Sequence, residues 1–165
     1  MWSKTRKALY ERTADSLKPR INYEFYMKKR SYMDRALYIQ ADQKRCFVTT
    51  PKHLEWEWLF RRNILNALNI PYSYEKKTEE FISLLVVKYV GEAEIDFVMR
   101  SIHLYLNEYS FEESLSGENY FIYLLALLDR RLGKRRLKKI YDNMENEPEW
   151  IRKFILLRAE AEHIC

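Results

Sequence analysis

Three glycines, Gly91, Gly117 and Gly133, are all that a chain of 165 residues contains. Tight turns and loops normally consume more, because glycine visits the left-handed backbone region at no steric cost. A chain this poor in turn residues spends its length on long regular elements, and all-β architectures are disfavoured. Hydrophobic residues make up 47% and aromatic residues 15% of the sequence, enough to build one core and too many for a disordered chain. The expectation is a single domain over residues 1–165, with an αβββ subregion over 1–50 and a helical bundle over 51–165.

Periodicity gives the order of elements. Residues 2–18 read as an amphipathic helix with Trp2, Leu9, Thr13 and Leu17 near one side, stopped by Pro19. From Ile21 the period changes to two: Ile21, Tyr23, Phe25 and Met27 alternate with Asn22, Glu24, Tyr26 and Lys28, as in a half-buried strand. RALYIQA and KRCFVTT continue as two more strands around a turn at Asp42, so 21–50 is predicted to be an antiparallel meander. Beyond Pro51 the pattern is helical throughout, over about 51–69, 75–90, 92–109, 118–132, 134–144 and 147–163. Gly91 is expected to close the second of these as a left-handed C-terminal residue. Ser110 and Glu113 form an S-x-x-E capping box for a short turn. The fold class is therefore α+β, predominantly α: N-terminal helix, three-stranded antiparallel meander, then a bundle of about six helices.

No apolar run approaches a membrane span of about 18 residues; the uncharged run Asn119–Leu128 has the length of a core helix. The charged segment at Lys4, Arg6, Lys7, Glu11 and Arg12 leaves no secretory core, which points to the cytoplasm and to no membrane partner. Cys46 and Cys165 have no spacing partners for a zinc site. The net charge of +5 is unevenly spread: twelve Lys/Arg face five Asp/Glu over 1–50, seven face twelve over 51–128, and ten face seven over 129–165. Two basic ends flank an acidic middle, a layout that either closes internally or offers a basic face to an anionic partner.

The densest charge is in LLDRRLGKRRLKKI, where Arg130, Arg131, Lys134, Arg135, Arg136, Lys138 and Lys139 put seven cations into ten positions. Gly133 is expected to end one helix in the left-handed conformation, with Arg130 and Arg131 in its last turn. Leu137, Ile140, Tyr141 and Met144 then mark the buried stripe of the next helix. Lys134, Arg135 and Arg136 stand in the first turn of that helix, where the macrodipole is positive and each cation costs about 0.3–1 kcal/mol at low salt. Either nearby carboxylates (Asp129, Asp142, Glu145, Glu147, Glu149) fold back on the corner, or an external anion occupies it.

MWSK at the start, DSLKPRINY after the first helix, LLDRRLGKRRL and the tail PEWIRKFILLRAEAE together resemble a family of uncharacterised bacterial proteins that open with Met-Trp-Ser-Lys. The resemblance implies a bacterial cytoplasmic protein and carries over no catalytic residue. It singles out Trp2, Lys4, Arg20, Asp129, Arg130, Arg131, Gly133, Lys134 and Arg135.

Other constellations are weaker. His53 with Glu57 is one His and one carboxylate, short of a metal site. Glu160 and His163 give a single E-x-x-H, which di-metal bundles use twice. Arg158 and His163 form R-x4-H, which resembles the motif of HEPN-type ribonucleases, although Ala159 stands where a polar residue usually follows the arginine. Glu92, Glu94 and Asp96 are expected to open a helix, where acids are stabilising. His103 is expected beside the core. Phosphate-cradling glycine motifs do not occur. In the meander, Tyr26 and Tyr38 lie opposite the apolar set among basic residues and are the candidates for stacking on bases.

The leading expectation is a non-enzymatic binding module that engages an acidic protein surface or small anion through Arg130, Arg131, Lys134, Arg135, Arg136, Lys138 and Lys139, with no cofactor and no metal. Nucleic-acid binding by the same corner and the aromatic meander is the alternative. A metal-independent ribonuclease on Arg158 and His163 stands third.

Overall fold

The computed structural model describes residues 2–27, 35–50 and 76–164, together with 63, 66 and 69. The helix expected over 51–69, and with it His53 and Glu57, lies outside the described residues. The described elements are α1 (Trp2–Arg12), β1 (Ile21–Met27), β2 (Arg35–Ala41), β3 (Lys44–Thr50), α2 (Lys76–Val90), β4 (Glu92–Glu94), α3 (Ile95–Asn107), α4 (Phe111–Ser116), α5 (Tyr120–Leu128), α6 (Lys134–Asp142), a 3-10 turn (Met144–Asn146) and α7 (Glu149–Ala161). The fold is α+β and mostly helical, in the expected order.

The sheet has one strand more than the meander. β1, β2 and β3 pair antiparallel, and β4 joins β3 in parallel through Val48↔Glu92, Thr49↔Ala93 and Thr50↔Glu94. Glu92 and Glu94, expected in the first turn of a helix, are strand residues instead, and the helix begins at Ile95. Three residues are too few to show a two-residue period, and the pairing that makes them a strand lies some forty positions upstream. Gly91 is left-handed as expected, at φ +74, and its missing side chain makes room for Trp150: a Cβ there would stand 2.6 Å from the Trp150 Cγ. The indole Nε1 donates to the Lys88 carbonyl at 3.0 Å, tying α7 to the end of α2.

The β2–β3 turn works without glycine. Asp42 and Gln43 both take positive φ, 49° and 65°, as a two-residue turn matched to strand twist requires. Arg20 holds that turn, donating from Nε to Asp42 Oδ1 at 2.8 Å and from Nη2 to Oδ2 at 2.6 Å. The same guanidinium reaches Glu160 on α7 at 3.1 Å. A register shift at Ile39/Gln40 leaves Cys46 unpaired opposite the bend.

One hydrophobic cluster joins the sheet to the helices. Its centre is α5, whose residues Phe121 to Leu128 are all buried, which is why this helix shows no polar face in the sequence. Phe47 of β3 packs on Phe121 at 4.9 Å and on Trp150 at 5.7 Å between ring centroids. Asn119 caps α5 by accepting from the Phe121 and Ile122 amides, and the expected capping box of Ser110 and Glu113 starts α4. In α2, from Glu80 onward, the buried side chains are Ile82 and Val87, while Phe81 is exposed. Among the described residues, no helix is long and apolar enough to cross a membrane.

Candidate functional site

The basic corner is built where α5 ends. The expected helix end at Gly133 is a correction: α5 stops at Leu128, and Asp129 leaves it in extended conformation at φ −72, ψ 136. What ends the helix is a competing partner. Thr13 and Asp129 form an antiparallel bridge, Ala14 N donates to Leu128 O at 2.9 Å, and Arg130 N donates to Arg12 O at 2.7 Å. The chain thus pairs with the segment after α1 rather than adding a helical turn. Arg130 and Arg131 therefore lie beyond α5, not in its last turn. Gly133 is the N-terminal cap of α6 at φ −71, ψ 153, with nothing within 4 Å of a Cβ placed there, so neither sterics nor backbone angle requires glycine.

Asp129 is the anchor of the corner. It is buried and accepts from the Tyr105 hydroxyl, from Arg131 N at 2.8 Å, and from the Arg131 guanidinium at 2.6 and 3.0 Å. Burial alone would push its carboxyl up; the bonds from Arg131 and Tyr105 outweigh that and hold it below the ordinary carboxylate value. Burial, with Asp129 alongside, pushes the Tyr105 phenol up. Arg12 closes the network from α1, donating to the carbonyls of Tyr105 and Leu106 at 2.7 Å each. Its guanidinium lies 4.9 Å from the Tyr105 ring centroid, and that of Arg131 lies 4.9 Å from the Phe111 ring.

Along α6 the cations divide into two groups. Lys134 donates to Glu162 O at 3.0 Å, Arg136 to Glu112 Oε1 at 2.6 Å, and Lys138 to Asp142 Oδ1 at 2.6 Å. With Arg131 on Asp129, four of the seven candidates are engaged internally. Arg130, Arg135 and Lys139 are exposed and make no side-chain hydrogen bond or ion pair among the described residues, although Arg130 lies near enough to Asp15 to help hold that carboxyl below its ordinary value, after Lys18. Arg135 and Lys139 are four apart on α6 and share one face. Carboxylates from Glu112, Asp142 and Glu162 stand among these cations.

The two residues of the R-x4-H spacing differ sharply in exposure. Arg158 is 2% exposed; its guanidinium donates to the carbonyls of Leu128 at 3.2 Å and Leu132 at 3.3 Å and pairs with Glu162 at 3.2 Å. It serves as a buried strut that satisfies the two carbonyls on either side of the Asp129 bridge. His163, exposed at φ 55, lies just past α7. Glu160 faces Arg20, and no group of three His, Cys, Asp or Glu among the described residues could hold a metal. His103, expected beside the core, is exposed, with Glu108 at 3.3 Å. Tyr26 and Tyr38 do stand on the solvent side of the sheet, Tyr26 the more exposed.

Several residues of the corner had no signal in the sequence. Tyr105 reads as one more apolar residue of α3, and Glu112 as a first-turn acid of α4; Glu162 lies close to Lys134 only because α7 folds back. In comparison with known proteins, no curated protein and no solved structure matches this chain. Residues 1–159 match the model of the SF0329 protein family, and the chain belongs to that family.

Proposed function

We propose that this protein is a non-enzymatic binding module of the bacterial cytoplasm that docks an acidic protein surface through the exposed cations of the corner, Arg130, Arg135 and Lys139. One observation carries the reading. Arg135 stands in the first turn of α6, which has no acidic residue and no side-chain cap, and nothing among the described residues offsets its charge there. Lys134 and Arg136, its neighbours in the same turn, are offset by Glu162 and Glu112. Lys139 extends the uncompensated charge one turn further. Cations spread over a mixed-charge surface suit carboxylates presented by a protein, since a small anion needs donors converging on one point. The bacterial and cytoplasmic parts of the proposal rest on the resemblance of the chain's two ends.

The test is an NMR titration of the labelled protein with an Asp/Glu-rich decapeptide and, separately, with inorganic phosphate. The reading expects peptide-induced shifts at Arg130, Arg135 and Lys139 that are larger than those from phosphate. Shifts confined to other parts of the molecule, or none, contradict it.

A further inference from the structure

At the opposite end of α1 from the corner, a second surface carries aromatic and basic side chains together. The distance along the helix from Trp2 to Arg12 is about 15 Å, so the two surfaces do not merge. There an open groove of about 520 Å³ runs between α1 and the sheet, lined by Trp2 and Arg6 from α1, Phe25 and Tyr26 from β1, Tyr38 from β2 and Arg45 from β3. Trp2 stacks on Phe25 at 5.4 Å and closes one side. Tyr26 is 54% exposed, a large apolar ring left in water. Its partner across the ladder is Ala36, which makes Tyr38, two residues on, its diagonal neighbour on the same face. The Arg45 guanidinium lies 4.1 Å from the Tyr38 ring centroid, so the two side chains present a stacked cation and ring.

The charge in the groove favours an anion that carries rings. Arg6 donates to Asn22 Oδ1 at 2.8 Å and keeps further N–H donors. Glu24 also lines the groove, but its two oxygens already accept from Asn22 Nδ2 at 3.0 Å and Gln40 Nε2 at 2.9 Å. Two guanidinium groups thus act against one carboxylate occupied by amide donors. The groove is open rather than enclosed, so it cannot bury most of a free nucleotide as a small-molecule site does. Affinity must be summed over several units of a chain. Duplex bases are stacked on one another and have no free faces to offer.

We propose that this groove is a stacking platform for single-stranded nucleic acid. Tyr26 and the Arg45-backed Tyr38 receive two bases, and Arg6 holds a phosphate. The claim goes beyond the docking of acidic proteins at the corner and shares no residue with it.

Fluorescence anisotropy with labelled 12-nucleotide single strands and the matching duplex, at about 50 mM salt where phosphate contacts are strongest, tests the groove. Tyr26→Ala and Arg45→Ala should each weaken single-strand binding roughly ten-fold, and Tyr26→Trp should restore it. The duplex should bind less tightly than the single strand, and Arg135→Glu with Lys139→Glu should leave the single-strand preference unchanged. Circular dichroism of the variants establishes that they are folded. Three results overturn the proposal: no single-strand binding by the wild type; equal binding of duplex with Tyr26→Ala unaffected; or loss of binding in the corner variant with the groove variants unchanged.

Discussion

Arg131 clamps the carboxylate of Asp129, two residues before it, with a nearest contact of 2.6 Å; the acid is fully buried while the guanidinium remains partly in solvent. The most basic stretch of the chain is therefore fixed to the core by its own aspartate. The neighbouring cations are displayed beside that anchor, and pairing leaves the corner less free charge than its composition suggests.

That relationship makes the corner acid-sensitive. Asp129 titrates below its ordinary value in the folded protein, so its contribution is fully present above about pH 4 and is lost as pH falls through the folded value. Asp129→Asn should lower unfolding stability by about 2 kcal/mol near neutral pH, kept modest because Arg131 stays half in water. Urea midpoints should differ most near neutrality, and the gap between wild type and variant should narrow below about pH 4. A gap that widens on acidification would contradict the assignment.

Arg158 should behave as a structural residue. Replacing it with Met leaves the Leu132 carbonyl without its partner and removes one from Leu128, a loss of about 2–4 kcal/mol measurable by urea denaturation. His163→Ala, at an exposed position, should change stability by less than about 0.5 kcal/mol. Equal effects at the two positions would show that they work as a pair.

The glycines separate by their surroundings. Gly91→Ala forces a side chain into positive φ and against the Trp150 ring, so a loss of about 2 kcal/mol or more is expected. Gly133→Ala should stay within about 0.5 kcal/mol of wild type, because lower unfolded-state entropy offsets the poorer helix cap. Thermal melts of both variants check the contrast.

Two adjacent arginines should respond differently to charge reversal. Arg136→Glu removes the ion pair to Glu112 and sets two acids together, which should cost up to about 1 kcal/mol for so exposed a pair. Arg135→Glu breaks no pair and places an acid at the positive end of α6, so the melting temperature should hold or rise slightly. Identical drops would mean that Arg135 also has an internal partner.

Much of the fold was legible because its signals are local. The change from a helical to a two-residue period at Ile21, the Ser110–Glu113 box and left-handed Gly91 all act within a few residues. The parts that misled depend on partners distant in sequence. Leu128 and Asp129 look like one helix running to Gly133, yet pairing with Thr13 ends it early. Glu92 and Glu94 look like helix-opening acids until β3 recruits them. At the site the seven cations were evident, but which of them are spent was not: Glu112 and Glu162 are brought in by α4 and α7, and no spacing rule connects them to Arg136 and Lys134.

In the proposed docking surface, Arg135 and Lys139 act with Arg130, and their paired neighbours on α6 do not. The direct measurement is the affinity of an Asp/Glu-rich decapeptide for wild type, Arg135→Glu with Lys139→Glu, and Arg136→Gln with Lys138→Gln, by fluorescence anisotropy at low salt. Binding should be at least ten-fold weaker for the first double variant, equivalent to about 1.4 kcal/mol, and little changed for the second. Equal losses in both, or unchanged binding in the first, would contradict it.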